Sequence, residues 1–213
     1  MTRLKEIHDY LISNKGENEE ELRNLYDFLP HKLAEEIAVY AHRNKLRVNG
    51  EDYVNHPMRT SVNACNLCSP NDEEYRGVET LAILHDVIED SDFTINDIKE
   101  IFEENKLGEF FEKYVKEELL ALTHDKNEDY EVYIKRIMQY PAASLVKLVD
   151  LCDNLNLLSL NTFETKEYER CSRYLKYAYY INSKYHFIES SFLAKEEAKR
   201  RNIEKQKRLN EDY

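Results

Sequence analysis

The sequence predicts an all-α fold, and three observations support this prediction. Gly and Pro number only four each among 213 residues, too few for the many turns of a β-sandwich or barrel. Apolar residues recur at the three- and four-residue spacing of a helix face, as at Leu145, Leu148 and Val149. The apolar fraction of 42% is enough for one hydrophobic core. We therefore expect one helical bundle of generous size, or one with extensions.

Short helices joined by polar turns are predicted for the first part of the chain. Asn49-Gly50 is a turn signal. Pro57 suits the first turn of a helix, which places His56 at the helix entrance. A lone His before Pro is ordinarily a capping or packing residue, so His56 alone does not indicate a site. The three helices that precede this turn are predicted at residues 4–14, 19–29 and about 33–46.

The central feature is a helix predicted over residues 75–89, which carries a cluster of charges at its end. Four apolar residues, Leu81 to Leu84, precede His85-Asp86 and Glu89-Asp90, so we expect this part of the helix to be buried. Residues four apart share a helix face, which brings one imidazole and three carboxylates together. If they are buried, such carboxylates repel one another unless a cation binds them. The alternative is a solvated acidic helix end.

A second buried acidic residue is predicted in the helix that Pro141 opens. Asp150 lies within an apolar run, and Asp enters a buried helix mainly when it is paired or binds a metal. Lys147 lies one turn before it and Asn154 one turn after it. A simple Asp150–Lys147 pair is therefore the alternative to metal binding. The helices between the two motifs are predicted at 94–102, with Thr94 as the N-cap, at 107–123 and at 130–138.

The last predicted helix spans residues 167–194 and is dense in tyrosine. We expect most of these tyrosines in the core or at an interface. Residues 195–213 are almost wholly charged or polar, and indicate a solvated helical extension or a frayed end. The chain is thus divided into one domain over residues 1–194 and this C-terminal tail. The tyrosines are Tyr168, Tyr174, Tyr177, Tyr179, Tyr180 and Tyr185.

The net charge and the lack of a long apolar run argue against several classes of partner, and the cysteines indicate a cellular compartment. The formal net charge of −12 argues against binding to DNA or to an anionic membrane, although a small phosphorylated ligand remains compatible. No apolar run approaches the roughly 20 residues of a membrane span. Four cysteines and no secretory leader fit a reduced, cytoplasmic compartment. Cys65 and Cys68 have the spacing of half a zinc site, but no second pair completes it, and core packing is expected.

Two imidazoles and two carboxylates from three predicted helices form a candidate metal site. This mixed nitrogen and oxygen set suits manganese or iron, and zinc less clearly. It leaves open positions for water and a phosphate oxygen. The nearby cations that could offset phosphate charge are Lys45, Arg47 and Lys147. The four predicted ligands are His56, His85, Asp86 and Asp150.

The order of these motifs resembles that of the HD superfamily of metal-dependent phosphohydrolases. Within it, the chain resembles the hydrolase domain of the RelA/SpoT alarmone enzymes, and especially the small stand-alone alarmone hydrolases. The HD pair alone is a weak pattern, whereas HD-x-x-ED with an upstream HP and a downstream K-L-x-D-x-x-x-N is specific. The resemblance covers roughly residues 35–180, and its matching stretches lie within residues 41–57, 84–90 and 145–154.

The resemblance implies an all-α HD-domain helical bundle that binds one Mn²⁺ through the four predicted ligands. It also implies an activity: removal of pyrophosphate from the 3′ position of guanosine tetra- and pentaphosphate. Placing and deprotonating the attacking water is assigned to Glu89 and Asp90. The implied nucleotide contacts are Arg47 against the base, Asn154 near the ribose, and Tyr174.

Departures from the family pattern leave other functions open. Val48 stands where the family often has a second cation, and the segment 150–156 lacks two arginines and a histidine that commonly follow the aspartate. Another substrate is therefore an alternative: an adenine alarmone, the 2′-phosphate of NADPH, or a pyrophosphorylated RNA end. A further alternative is a catalytically idle helical protein that binds a nucleotide or protein. A homo-oligomer is compatible with each of these functions.

Overall fold

The computed structural model describes residues 3–15, 30–68, 72–157 and 160–211. These residues form α-helices, one short 3₁₀ helix at Glu73–Tyr75 and no β-strand, which confirms the all-α prediction. The predicted helix at 19–29 lies outside the described residues. The helices are α1 (Arg3–Lys15), α2 (Pro30–Ala41), α3 (Asn55–Leu67), α4 (Val78–Leu84), α5 (Val87–Asp90), α6 (Ile95–Glu104), α7 (Gly108–Tyr114), α8 (Lys116–Leu122), α9 (Tyr130–Ile137), α10 (Pro141–Asn154), α11 (Thr165–Tyr185) and α12 (Phe187–Glu211).

Helix α4 lies at the centre of the core. The four apolar residues from Leu81 to Leu84 are fully buried, as the sequence predicted, and α4 packs against α2, α3 and α10. Helix α10 is likewise buried from Ala142 to Leu151, except at Lys147, which is partly exposed. A fully buried Leu or Ile stabilises the fold by about 2 kcal/mol. The helix that precedes His85 and Asp86 and the helix that carries Asp150 are therefore both anchored by buried apolar side chains.

Three long predicted helices are each broken into two. In the last of them, His186 adopts a left-handed φ of 54° and its N–H donates to the Asn182 carbonyl at 2.7 Å, which ends α11 before α12 begins. Helices α7 and α8 meet at Val115. The predicted central helix is interrupted between α4 and α5, at His85 and Asp86. The two predicted ligands therefore lie at a turn and not inside a continuous helix.

A compact loop follows α2, where the sequence predicted a continuous helix to Leu46. Asn44 adopts a left-handed φ of 63°, and Leu46 pairs with Asp52 in an isolated antiparallel bridge. The predicted turn at Asn49-Gly50 is confirmed, because Gly50 has a φ of 83° that favours glycine. This loop, residues 42–53, carries two of the predicted substrate-binding cations back towards α3.

Two predictions about buried side chains hold for some of the residues and not for others. The prediction of core packing is wrong for Cys65, which is exposed, whereas Cys68 is half-buried and packs against the core. All four cysteines are free thiols. Among the six tyrosines, Tyr177 is buried, and Tyr174 and Tyr185 are half-buried against the core, because α11 turns one face towards α10. Three of the others are exposed: Tyr168, Tyr179 and Tyr180.

The C-terminal helix α12 continues without a break past residue 194, where the sequence predicted that the tail begins. The division of the chain into a domain and a tail stays a prediction. Within the described ranges, none of the helices combines the length and apolarity that crossing a bilayer requires.

Glu118 links α8 to the first turn of α10. Its carboxylate accepts the N–H of Ala143 at 2.5 Å, and burial raises its pKa from 4.5 to about 7. A carboxyl with a raised pKa stabilises the fold fully below its unfolded pKa and loses that contribution as the pH rises through the folded pKa. We expect this group to lower the free energy of unfolding by about 2 kcal/mol between about pH 5 and pH 8.

Replacing Glu118 with Gln is expected to remove this part of the pH dependence, because Gln keeps an acceptor for the Ala143 N–H and does not titrate. Urea denaturation across the same pH range measures the effect. Glu117→Gln, at an exposed position on the same helix, is the matched control. Parallel pH profiles for the two variants would contradict the assignment.

Candidate active site

The four predicted ligands converge from three places in the fold. His56 is the second residue of α3, His85 and Asp86 occupy the turn between α4 and α5, and Asp150 lies one turn before the end of α10. One Asp86 carboxylate oxygen lies 3.6 Å from His56 Nε2 and 3.2 Å from His85 Nε2. One Asp150 oxygen lies 3.1 and 3.7 Å from the same two nitrogens. His56, His85 and Asp86 place ligand atoms within 4.8 Å of one another.

Both imidazoles are oriented by a hydrogen bond on the opposite ring nitrogen. His85 Nδ1 lies 2.7 Å from the Ala82 carbonyl oxygen, which can only accept, so Nδ1 donates. His56 Nδ1 lies 2.7 Å from a carboxylate oxygen of Asp153 and donates to it. His85 Nε2 is buried, and although Asp86 Oδ2 lies 3.2 Å away, the angle at this nitrogen is not that of a hydrogen bond. Histidines that bind metals are held in this way, with one nitrogen donating to an acceptor and the other facing the ion.

The charges of the cluster attract a cation. Burial alone would raise the pKa of Asp150, but Lys147 and the two imidazoles outweigh burial and hold it well below its usual range. Burial alone would lower the pKa of His85, but Asp86 and Asp150 raise it well above its usual range. Two ionised carboxylates thus draw positive charge to a buried point. The donor atoms fit a divalent first-row metal ion, which competes with protons for such a site.

Lys147 and Asp150 form the pair that the sequence suggested as an alternative to metal binding. Lys147 Nζ lies 2.8 Å from Asp150 Oδ2, and Asn154 Nδ2 donates to Asp150 Oδ1 at 2.6 Å. The pair coexists with the contacts to the imidazoles, because Oδ1 faces them while Oδ2 faces Lys147. The ion pair therefore orients the carboxylate and is no argument against a ligand role.

Glu89 and Asp90 take different partners. Glu89 Oε1 accepts the N–H of His124 at 2.6 Å, and burial raises the pKa of the Glu89 carboxyl. Asp90 is paired with Lys45, whose Nζ donates to the Asp90 main-chain carbonyl and lies 3.6 Å from its carboxylate. Lys45, a predicted phosphate-binding residue, is therefore paired with Asp90, a predicted catalytic residue.

The other predicted substrate residues are only partly brought together. Arg47 donates to Asn154 Oδ1 at 2.9 Å and to Asp153 at 3.2 Å, so two of the predicted nucleotide contacts adjoin the cluster. Tyr174 is half-buried on α11, with its ring 5.7 Å from the guanidinium carbon of Arg173. Its nucleotide contact stays a prediction. Val48, in place of a family cation, is 64% exposed.

The sequence prediction missed Tyr53 and Asp153. The Tyr53 hydroxyl donates to Asp86 at 2.8 Å, and its ring packs 4.8 Å from that of His42. Burial lowers the pKa of His42 to about 4. Tyr53 lies in a stretch that matches the family pattern, and Asp153 lies in a segment that departs from it. Only the contacts of the two side chains in the fold reveal a role.

The fold and the buried cluster together define an all-helical, metal-dependent hydrolase domain of the HD type. No protein-family model matches the chain. It is 30% identical over 146 residues to the guanosine-3′,5′-bis(diphosphate) 3′-pyrophosphohydrolase MESH1 of Drosophila melanogaster, covering 67% of this chain and 77% of that protein. It is also 29% identical over 157 residues to the guanosine-3′,5′-bis(diphosphate) 3′-pyrophosphohydrolase of Aquifex aeolicus, covering 73% of this chain and 20% of that protein.

A solved structure of a metazoan orthologue of SpoT that hydrolyses ppGpp superposes with a TM-score of 0.53 at 26% identity, covering 72% of this chain and 84% of that chain. The chain belongs to the family of guanosine-3′,5′-bis(diphosphate) 3′-pyrophosphohydrolases. It spans about three quarters of the length of the Drosophila relative and only a fifth of the Aquifex one.

Proposed function

We propose that this chain hydrolyses guanosine tetra- and pentaphosphate to GDP or GTP and pyrophosphate. One observation carries the proposal: two imidazoles, each donating through Nδ1, turn their Nε2 atoms towards the carboxylates of Asp86 and Asp150. The names of the family members supply the substrate.

The cation site is proposed to be formed by His56, His85, Asp86 and Asp150. Manganese is the proposed metal, because imidazole nitrogen and carboxylate oxygen together suit a first-row divalent ion. Such an ion supplies Lewis-acid chemistry, since it withdraws charge from phosphoryl oxygens and makes water more acidic.

Glu89 is proposed to accept the proton of the attacking water. Its Oε1 is held by the His124 N–H, which fixes the carboxylate and leaves its second oxygen to take the proton. The raised pKa of Glu89 moves the group towards the range in which a general base works well. Asp90, held by Lys45, is proposed to help to place the water.

Recognition of the nucleotide is proposed to involve the loop 42–53 and the end of α10. Arg47 is proposed to lie against the base and Asn154 near the ribose, and their mutual hydrogen bond supports a shared binding surface. Lys45 and Lys147 would offset phosphate charge, and Tyr174 is proposed to contact the nucleotide. In the structure Lys45 and Lys147 are paired with acidic side chains, so phosphate would compete with these partners.

The proposal is tested by removing metal from the purified protein, adding Mn²⁺, and measuring the rate of hydrolysis of four substrates. These are ppGpp, an adenine alarmone, NADPH and a pyrophosphorylated RNA end. We expect GDP and pyrophosphate from ppGpp at the highest rate. His85→Ala should lose Mn²⁺ binding and activity together. His31→Ala, half-buried on α2 and paired with Glu79, is the control. Faster turnover of another nucleotide would contradict the assignment of ppGpp as the substrate. Failure to bind Mn²⁺ would contradict the proposed metal site.

A further inference from the structure

Asp153 connects the predicted metal site with the predicted nucleotide site. Its side chain is only 9% exposed. One carboxylate oxygen, Oδ2, accepts His56 Nδ1–H at 2.7 Å and an N–H of Arg47 at 3.2 Å. A single atom therefore serves both a predicted metal ligand and a predicted base contact.

A third partner fixes the Asp153 carboxylate. Arg59 Nε donates to Oδ1 at 2.8 Å, and a second nitrogen of the same guanidinium donates to Oδ2 at 3.1 Å. Such a bidentate contact fixes the plane of a carboxylate as well as its position. Arg59 also donates to Glu51, which lies in the loop 42–53. The carboxylate is thus held from α3 and from this loop at once.

Three residues in the last turn of α10 contact the predicted metal ligands or Arg47. Asp150 faces the imidazoles, Asp153 holds His56 and Arg47, and Asn154 accepts from Arg47 while donating to Asp150. A shift of this turn would displace the metal ligands and the guanidinium together. The two predicted sites therefore depend on the same helical turn.

We propose that Asp153 is a positioning residue that couples metal binding to nucleotide binding. It keeps His56 in the tautomer and orientation that present Nε2 to the ion, and it holds the Arg47 guanidinium where the nucleotide binds. This inference rests on the proposed function, in which His56 binds the metal and Arg47 the nucleotide. It assigns to an Asp a role where the family pattern commonly has a His.

Asp153→Asn tests the proposal, because Asn keeps the size but offers one carbonyl oxygen where four N–H groups now converge. The Kd for Mn²⁺ of the metal-free protein, measured by titration calorimetry, should rise by about 10- to 100-fold, as expected for a lost outer-shell carboxylate. The KM for ppGpp should rise by about 10-fold for a misplaced guanidinium contact. At saturating Mn²⁺ and ppGpp, kcat should change by less than about threefold, since Asp153 touches no reacting atom.

Glu51→Gln is the matched control, because it removes a negative charge from the same network but contacts Arg59 and not His56. Its Kd for Mn²⁺ should stay within about twofold of wild type, as for a distant charge. If Asp153→Asn does not fold, as judged by thermal denaturation, Arg59→Gln replaces it. That variant loosens the carboxylate without removing it, and should raise the Kd by about threefold.

Several results would overturn the proposal. An unchanged Mn²⁺ Kd in Asp153→Asn, a raised Kd without a raised KM, or an equal effect of Glu51→Gln would each remove the coupling role. Failure of the wild-type protein to bind Mn²⁺ or to hydrolyse ppGpp would overturn the proposed function itself. The wild-type measurements therefore separate the two failures.

Discussion

Glu89→Gln is expected to reduce kcat for ppGpp by about 10²- to 10⁴-fold, the usual effect of losing a general base. Gln has the size of Glu, and its amide oxygen can still accept the His124 N–H that holds Glu89 Oε1 at 2.6 Å. It cannot take a proton at neutral pH. Metal content and the free energy of unfolding should therefore remain near those of wild type. Single-turnover kinetics and the Mn²⁺ content of the purified variant measure the two effects separately.

Added Mn²⁺ is not expected to restore the activity of Glu89→Gln, because the lesion lies in proton transfer and not in metal affinity. Glu100→Gln, an exposed carboxylate on α6, provides the control for loss of one negative charge. Recovery of Glu89→Gln at high Mn²⁺ would show that Glu89 binds the metal, and would contradict the separation of roles between Asp86 and Glu89.

Sequence patterns predicted the buried helices but not where they break. The apolar run before His85 and the apolar stripe of α10 correctly predicted that these helices are buried, because a helix without solvent contact needs apolar residues on most faces. The Thr94 cap was also correct, since Thr94 and Asp97 form a capping box that local sequence specifies. The breaks at Val115 and His186 contain neither Gly nor Pro, the residues that ordinarily mark a helix end in a sequence, so no such local signal reveals them.

The candidate site was predictable as a set of residue types but not as a set of partners. A His-Asp pair followed by Glu-Asp, with a distant buried Asp, indicates metal chemistry from spacing alone. Which cation pairs with which carboxylate depends on how the loop 42–53 lies against α5, and on how α3 and this loop lie against α10. The sequence therefore assigned Lys45 to phosphate without its contact to Asp90, and gave Asp153 no role. Spacing within one helix says nothing of partners on another.

Asp150→Asn is expected to weaken Mn²⁺ binding by about 100-fold, because it exchanges an anionic ligand for a neutral one in a buried site. The hydrolytic activity should partly recover at high Mn²⁺, in contrast to that of Glu89→Gln. The free energy of unfolding should also fall by about 3 kcal/mol, since Lys147 loses the partner of a largely buried ion pair. Calorimetric titration with Mn²⁺ and urea denaturation measure these two effects.

The double variant Asp150→Asn/Lys147→Met separates the two consequences. Removing the unpaired charge of Lys147 should restore most of the lost stability, because the uncompensated buried cation is the main cost. It should not restore Mn²⁺ affinity, because the anionic ligand is still missing. If Mn²⁺ affinity returned together with stability, the weak binding of Asp150→Asn would come from repulsion by Lys147, and Asp150 would not be a metal ligand.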